Sequence, residues 1–212
     1  MIRDALTLLV PCLVCLLAGG CDQRASDKEE LQGIFATLDN CCNNSDGVGM
    51  LGLYSQSTFD QYEALLPIIL DGTPEQIAEL PAPYQYEVLM ARLKSSRGAL
   101  GGLTGRQYVA HATTAGWYSI PRGLRTTDTL GGFEFGPDGT AWAGIYTNGQ
   151  RTGLRMCFVR EDGVWKIDEP RQHEASSQAW RATALEKGMT LEEFVLQALS
   201  VDENRPIAEG IW

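Results

Sequence analysis

Three turn motifs divide residues 124–168 into four segments of strand length. The motifs are Pro137-Asp138-Gly139, Asn148-Gly149 and Glu161-Asp162-Gly163. Asn-Gly between apolar segments is the strongest short-range hairpin signal, because both residues tolerate the positive φ that the reversal needs. The segments between and beside the turns are 129–135, 140–147, 151–160 and 164–168. We therefore predict an antiparallel β-meander in this part of the chain.

Helix start signals flank the meander on both sides. Capping boxes, in which Ser or Thr is followed three residues later by Glu or Gln, begin at Ser26, Thr104 and Thr190. Thr73-Pro74-Glu75-Gln76 adds a proline at the first helical position. Periodic apolar residues predict further helices near residues 57–71, 84–94 and 174–187, with a kink or early stop at Pro67 and a flexible glycine loop over 95–102.

These patterns predict an α+β fold. N-terminal helices should pack on a mainly antiparallel sheet, and residues 170–212 should form a C-terminal helical extension. The meander places Trp142 and Tyr146 on one face of their strand, with Ala141, Ala143 and Ile145 on the other.

An apolar stretch opens the chain and ends in Ala18-Gly19-Gly20-Cys21. It is shorter than the roughly 20 apolar residues that span a bilayer. It resembles a bacterial lipoprotein signal peptide, in which the cysteine after the small residues is lipidated and becomes the new N-terminus. The resemblance implies a signal peptide over residues 1–20 and a polar tether over residues 21–26. The alternative is an ordinary cleaved signal peptide in which Cys21 has no role.

The leader implies an exported protein, lipid-anchored through Cys21 on the extracytoplasmic side of a bacterial membrane. Asp22 follows the cysteine, and enteric sorting rules would then favour the inner membrane. The formal net charge is −10 at pH 7. An acidic chain without a basic stripe repels phosphate backbones, so nucleic acid is not expected as a partner.

Three cysteines remain beyond the leader and Cys21, namely Cys41, Cys42 and Cys157. Export permits a disulfide between Cys157 and either of the adjacent pair. The alternative is that all three thiols only pack in the core. The spacing of cysteines and histidines does not match a metal site, and we predict neither a metal nor a cofactor.

The segment from Phe158 to Asp168 reads Phe-Val-Arg-Glu-Asp-Gly-Val-Trp-Lys-Ile-Asp. Helices followed by a meander with this last hairpin resemble the nuclear-transport-factor-2-like superfamily. The resemblance covers residues 27–169 and implies a curved sheet wrapped by helices into a cone with an internal pocket. Enzymes of that superfamily, such as steroid isomerases and epoxide hydrolases, use carboxylates, Tyr or His deep in the cone, and members often dimerise through the sheet.

Residues that could line such a pocket are His111, Trp117, Tyr118, Trp142, Tyr146 and Met156. Further candidates for acid–base chemistry are Asp128, Glu134 and Arg155. These residues form no spaced catalytic motif, and the chain lacks a phosphate loop and a serine nucleophile elbow. A catalytic cone needs a desolvated acid or base with a second polar group across the pocket.

The absence of such a constellation favours a binding function without catalysis, with either a partner protein or a small apolar ligand in the cone. Two alternatives remain open. The first is a small enzyme of the isomerase or hydrolase type that uses an acid or base inside the cone. The second is a self-associating structural module that forms a homodimer.

Overall fold

The structure is a computed structural model that describes residues 4–117, 128–207 and 211, with side chains from Gln23 onward. Within these residues the protein is α+β, with an antiparallel sheet of four strands. The helices are α1 (Asp4–Asn44), α2 (Gly47–Met50), α3 (Gln56–Asp71), α4 (Pro74–Ala78), α5 (Ala82–Lys94), α6 (Arg97–Leu100), α7 (Gly105–Thr114), α8 (Glu169–Glu186) and α9 (Leu191–Glu203). The strands are β1 (Asp128–Phe135), β2 (Thr140–Thr147), β3 (Gln150–Glu161) and β4 (Val164–Ile167).

The predicted meander is confirmed. The strands follow one another in the order β1-β2-β3-β4, and each neighbouring pair is antiparallel. Asn148 and Asp162 take the positive φ that their turns require, 52° and 50°. One parallel bridge joins Tyr54 to Ile167 outside the named strands, so the segment before α3 extends the sheet beyond β4.

The two strand faces differ in burial as the alternation predicts. Ala141, Ala143 and Ile145 are buried against the helices, whereas Trp142 and Tyr146 on the opposite face are only half-buried. The register of β1 against β2 shifts between Gly131 and Glu134. Such an irregularity bends and twists a strand locally.

Three of the predicted cap pairs form complete capping boxes. Thr73, Thr104 and Thr190 each accept a hydrogen bond from the backbone of the third helical residue, whose side chain bonds back to the cap. Two other predictions were wrong. Helix α3 begins at Gln56 after its cap Ser55 rather than at residue 57, and the loop over 95–102 contains the short helix α6, which is capped by Ser96.

Helix α3 does not stop at Pro67 but continues to Asp71. The Arg92 side chain from α5 holds its last turn, donating hydrogen bonds to the carbonyl oxygens of Ile68 and Ile69 at 2.8 and 3.0 Å. The Ile68 carbonyl also accepts a hydrogen bond from the backbone N–H of Gly72, and the Arg92 bonds add a cationic donor at the end of the helix, where carbonyl groups lack their full set of partners.

Helix α1 already includes residues 21–26, so the predicted irregular tether and the predicted start at Ser26 are wrong. The sequence between Cys21 and Glu30 has neither glycine nor proline, and nothing there interrupts the helix. The side chain of Asp27 accepts a hydrogen bond from the indole of Trp165 at 3.3 Å and ion-pairs with Arg160. Helix α1 is thereby joined to the sheet six residues after Cys21.

Among the described residues, no helix combines the length and the hydropathy needed to cross a bilayer.

One buried hydrophobic cluster joins the N-terminal helices, the sheet and α9. Its fully buried members include Leu31, Leu65, Leu89, Val109, Phe158 and Leu199. Full burial of one such side chain stabilises the fold by about 1.5–3 kcal/mol. The described part of the C-terminal segment therefore shares the core of the domain through Val195 and Leu199 of α9.

Cys157 is buried as a free thiol, so it forms no disulfide with Cys41 or Cys42. Cys41 is likewise a free, buried thiol. Burial raises the pKa of the Cys157 thiol to about 12 and also raises that of Cys41. Both groups stay protonated near neutral pH and pack as small apolar side chains.

Candidate functional site

A cavity of about 560 Å³ lies between the helices and the sheet. This volume is within the range of small-molecule sites in proteins. Apolar side chains from six elements line it, namely Leu38 of α1, Met90 of α5, Ala112 of α7, Ile145 of β2, Met156 of β3 and Ile167 of β4. Aromatic side chains complete the wall, namely Tyr54, Tyr86, Tyr108, Trp117, Trp180 and Phe194.

Two carboxyl groups of the cavity meet at one tyrosine hydroxyl. The Tyr62 hydroxyl lies 2.9 Å from Oε2 of Glu87 and 2.8 Å from Oε2 of Glu169. A tyrosine has one hydroxyl proton, so it donates to one carboxylate at a time. The other carboxyl group can form the second hydrogen bond only if it is protonated and donates to the tyrosine oxygen.

The surroundings of this pair favour such a shared proton. Burial and the neighbouring charge of Glu169 raise the pKa of Glu87 well above its ordinary range. Burial also raises the pKa of Glu169 to about 7, although hydrogen bonds with Tyr62 and Tyr54 oppose the shift. The largest cause of both pKa shifts is burial, because a buried carboxylate loses its hydration, and the charge of Asp168 adds to the shift of Glu169.

His173 lies next to this pair. Its Nε2 is 3.4 Å from Oε1 of Glu87, which is too long for a strong hydrogen bond, and its Nδ1 is buried without a partner. Burial lowers the pKa of His173 to about 4, so the ring is neutral near pH 7. The ring packs edge-on against Tyr84, with 4.7 Å between the ring centroids.

Two further polar atoms near the pair have no hydrogen-bond partner. They are the Tyr84 hydroxyl, on a side chain from a residue that is only 3% exposed, and Oε1 of Gln172, which lines the cavity. An unpaired polar atom in a buried position costs about 1–3 kcal/mol. A bound molecule with hydrogen-bonding groups would recover part of that free energy.

Helix α8 brings several of these groups to the cavity. Asp168 caps the helix by accepting a hydrogen bond from the backbone of Arg171, and Pro170 lies in its first turn. Glu169, His173, Ser176 and Trp180 follow at intervals of three or four residues and all line the cavity. Residues at this spacing share one helix face, so a single orientation of α8 presents all four.

Only some of the predicted pocket residues lie at the cavity. Trp117 and Met156 line the cavity, whereas His111, Trp142 and Tyr146 do not. His111 packs behind the wall, with its ring edge-on to Trp117 at 5.2 Å between centroids. Tyr118 lies outside the described residues.

The other acid–base candidates are not brought together. Glu134 is exposed and forms an ion pair with Arg155 at 2.6 Å. The Arg155 guanidinium also lies over the Trp142 ring, 5.2 Å from its centroid, and Arg155 is one of the residues that line the cavity. Asp128 lies at the start of β1 and does not line the cavity.

Glu87, Glu169 and His173 were not predicted from the sequence as residues of the site. Glu87 lies in a helix whose neighbouring residues are apolar, and Glu169 is at a helix start, where an acidic residue is ordinarily solvated. The spacing of Glu169, His173, Ser176 and Trp180 was the available signal. It would have indicated a polar stripe on one face of α8 but not what that face contacts.

In the part of the chain that the structure describes, no group of three or more His, Cys, Asp or Glu side chains could hold a metal ion. A carboxyl group whose pKa lies near 7 can both donate and accept a proton under physiological conditions.

Known proteins supply no template for this cavity. A scan against protein-family models, a search of the curated proteins and a search of the solved structures each give no match for this chain. The function must therefore be argued from the side chains of the cavity.

Proposed function

We propose that the protein binds a small, mainly apolar molecule in this cavity and holds the molecule's polar group at Glu87 and Glu169. The observation that carries the proposal is the cavity itself, about 560 Å³ of space whose wall is mainly apolar and whose polar atoms are concentrated around two buried carboxyl groups. Apolar walls with a few convergent polar groups are typical of small-molecule sites.

A partner protein is the less suitable occupant. The side chains of Glu87 and His173 are only 18% and 12% exposed, so a flat protein surface would not reach them. A small molecule that enters the cavity would.

We propose the nuclear-transport-factor-2-like cone as the finer description of the fold. Three features support it, namely helices that precede an antiparallel meander, the parallel bridge from Tyr54 to Ile167, and a cavity between the helices and the sheet. The fold alone does not determine an activity.

Equilibrium dialysis with naphthalen-1-ylmethanol tests the binding proposal. We expect the full chain to bind this probe saturably. Ala198→Trp should weaken binding, because Ala198 lines the cavity and a tryptophan there would occupy part of the space open to the probe. Ala179→Trp is the matched control, since Ala179 is an exposed residue of helix α8 and does not line the cavity. Equal binding by both variants, or no saturable binding by the unaltered chain, would refute the proposal.

The raised pKa of Glu169 favours a second candidate function, proton transfer to and from the bound molecule. Glu169 would act as the base, and Tyr62, which hydrogen-bonds to both carboxyl groups but does not line the cavity, would hold Glu169 in position. The corresponding reaction class is abstraction of a proton next to a carbonyl group.

Hydrogen–deuterium exchange of the α-hydrogens of indan-1-one in D₂O, followed by NMR, tests this second candidate. We expect the full chain to accelerate the exchange above the buffer rate and Glu169→Gln to return it to that rate. Glu174→Gln, at an exposed position of the same helix, should leave the acceleration intact. An unaltered chain that exchanges no faster than buffer would rule out this activity toward the probe ketone.

We propose that Cys21 carries a lipid that attaches the protein to the extracytoplasmic side of a bacterial membrane. Ala18-Gly19-Gly20-Cys21 supports the proposal, and the contact between Asp27 and Trp165 would hold the domain close to the bilayer. Cys21→Ser should move the protein from the membrane fraction to the soluble fraction, whereas Cys15→Ser should not. Continued membrane attachment of Cys21→Ser would contradict the lipid anchor.

Self-association through the sheet stays a prediction. Light scattering on the full chain tests it, and a monomer at high concentration would count against a homodimer.

A further inference from the structure

We propose that the molecule bound in the cavity is an organic cation, an apolar body that carries a protonated amine, and that the amine lies at Glu87 and Glu169. This inference rests on the proposed function, because it specifies the chemical class of the ligand for the same cavity.

Few basic side chains in the described part of the chain are available to pair with the two carboxyl groups. Among the described residues that line the cavity, the basic side chains are Arg155, His173 and Lys187. Arg155 is already paired with Glu134 at 2.6 Å. The Lys187 ammonium lies over the Phe194 ring, 5.7 Å from its centroid, and neither cation forms an ion pair with Glu87 or Glu169.

The third basic residue, His173, is neutral near pH 7 because burial lowers its pKa to about 4. A further acid, Asp202, also lines the cavity and accepts a hydrogen bond from Tyr86. The carboxyl pair therefore has no cationic partner among the described residues that line the cavity, and near pH 7 it carries only part of a negative charge because the pKa of Glu169 is about 7. A cationic ligand would supply that partner, whereas an anionic ligand would be repelled.

The cavity also offers hydrogen-bond acceptors to a bound cation. An ammonium group carries three donors and no acceptor. Oε1 of Gln172 lines the cavity and has no donor. Together with the carboxyl oxygens of Glu87 and Glu169, this amide oxygen can accept hydrogen bonds from an ammonium group.

The aromatic side chains of the cavity wall also suit an organic cation. Six aromatic side chains line the cavity. The faces of aromatic rings carry partial negative charge and attract organic cations by about 0.5–2 kcal/mol each in favourable geometry. The same rings provide apolar contact for the body of the ligand, so one wall suits both parts of an amphiphilic amine.

Three probes that share one apolar body separate charge from hydrophobicity. They are naphthalen-1-ylmethylammonium, naphthalen-1-ylmethanol and naphthalene-1-carboxylate, compared by equilibrium dialysis of the full chain at about pH 7, where the first and last are ionised. We expect the ammonium probe to bind about tenfold or more tightly than the alcohol, and the carboxylate probe to bind more weakly than either.

Glu169→Gln should bring the affinity for the ammonium probe close to that for the alcohol while the alcohol still binds. Retained alcohol binding also shows that the variant is folded. Glu174→Gln, with the same change at an exposed site of α8, should keep the preference of the unaltered chain.

Two outcomes would overturn the inference. If the unaltered chain binds the alcohol as tightly as the ammonium probe, the cation preference is wrong and the apolar binding function stands. If none of the three probes binds, both proposals fail for this ligand size. A preference that survives in Glu169→Gln would likewise contradict the role given to that carboxyl group.

Discussion

Tyr62 has one hydroxyl proton and two carboxyl neighbours, Glu87 and Glu169, at 2.9 and 2.8 Å. Both contacts are favourable only if the pair holds a proton of its own. Burial, which raises the pKa of each carboxyl group, provides that condition. A single hydrogen-bonded group of three residues thus accounts for the polar end of the cavity.

The proton on Glu169 makes stability depend on pH. Its pKa is about 7 in the folded protein and 4.5 for an unperturbed group. Between these values the native state binds more protons than the unfolded chain, so the contribution of Glu169 is fully present below about pH 4.5 and is lost as the pH rises through about 7. A shift of this size corresponds to about 3 kcal/mol.

Urea unfolding of the unaltered chain and of Glu169→Gln across this pH range measures the pH-dependent contribution of Glu169 to the free energy of unfolding. We expect the difference between their free energies of unfolding to change by about 3 kcal/mol, with the unaltered chain losing stability relative to the variant as the pH rises. His173 has the opposite sign, since its lowered pKa favours the folded state at higher pH, but it is present in both proteins. Glu87 is also present in both, but Glu169 helps to raise its pKa, so the difference reports the titration of the carboxyl pair. A difference that stays constant with pH would show that Glu169 is not protonated in the native state.

At the scale of elements, helices α3 and α7 approach each other closely because Gly105 has no side chain. A Cβ at this position would lie 2.1 Å from the Phe59 carbonyl oxygen and 2.6 Å from the Glu63 backbone nitrogen. Both neighbours are backbone atoms, so the helices themselves would have to move. This contact sets the spacing of α7, which carries Tyr108 and Ala112 of the cavity wall.

Gly105→Ala should therefore destabilise the protein by about 2–3 kcal/mol, as measured by urea unfolding. Gly98→Ala is the control, because a Cβ there meets no atom within 4 Å and alanine is the better helix former. If Gly105→Ala were as stable as Gly98→Ala, the close packing of α3 on α7 would be wrong.

The elements themselves are largely readable from sequence, because their signals are local. Asn148-Gly149 fixes a hairpin through the φ values of two residues, and Thr104 with Gln107 starts α7 through bonds within one turn. Helix α3 shows the limit of this reasoning. It continues past Pro67 to a last turn that accepts hydrogen bonds from Arg92, a residue on another helix, and local sequence carries no sign of that contact.

At the scale of the whole molecule, the cavity exists because α8 and α9 return to the helices that precede the sheet. Glu87 comes from α5 and Glu169 from α8, so the pair forms only when these two helices pack together. The sequence analysis treated residues 170–212 as an extension, and it could not bring a residue of that segment to Glu87. Trp117 and Met156 were predictable as wall residues because each is large, apolar and placed beside the sheet.

The location of a bound molecule tests the central claim, that the cavity is the binding site. Intermolecular nuclear Overhauser effects between naphthalen-1-ylmethanol and methyl groups of the full chain report that location. We expect contacts to the methyl groups of Met90 and Met156, which line the cavity from helix α5 and strand β3. Contacts confined to Val48 and Leu185, apolar residues that are 77% and 80% exposed, would contradict the claim.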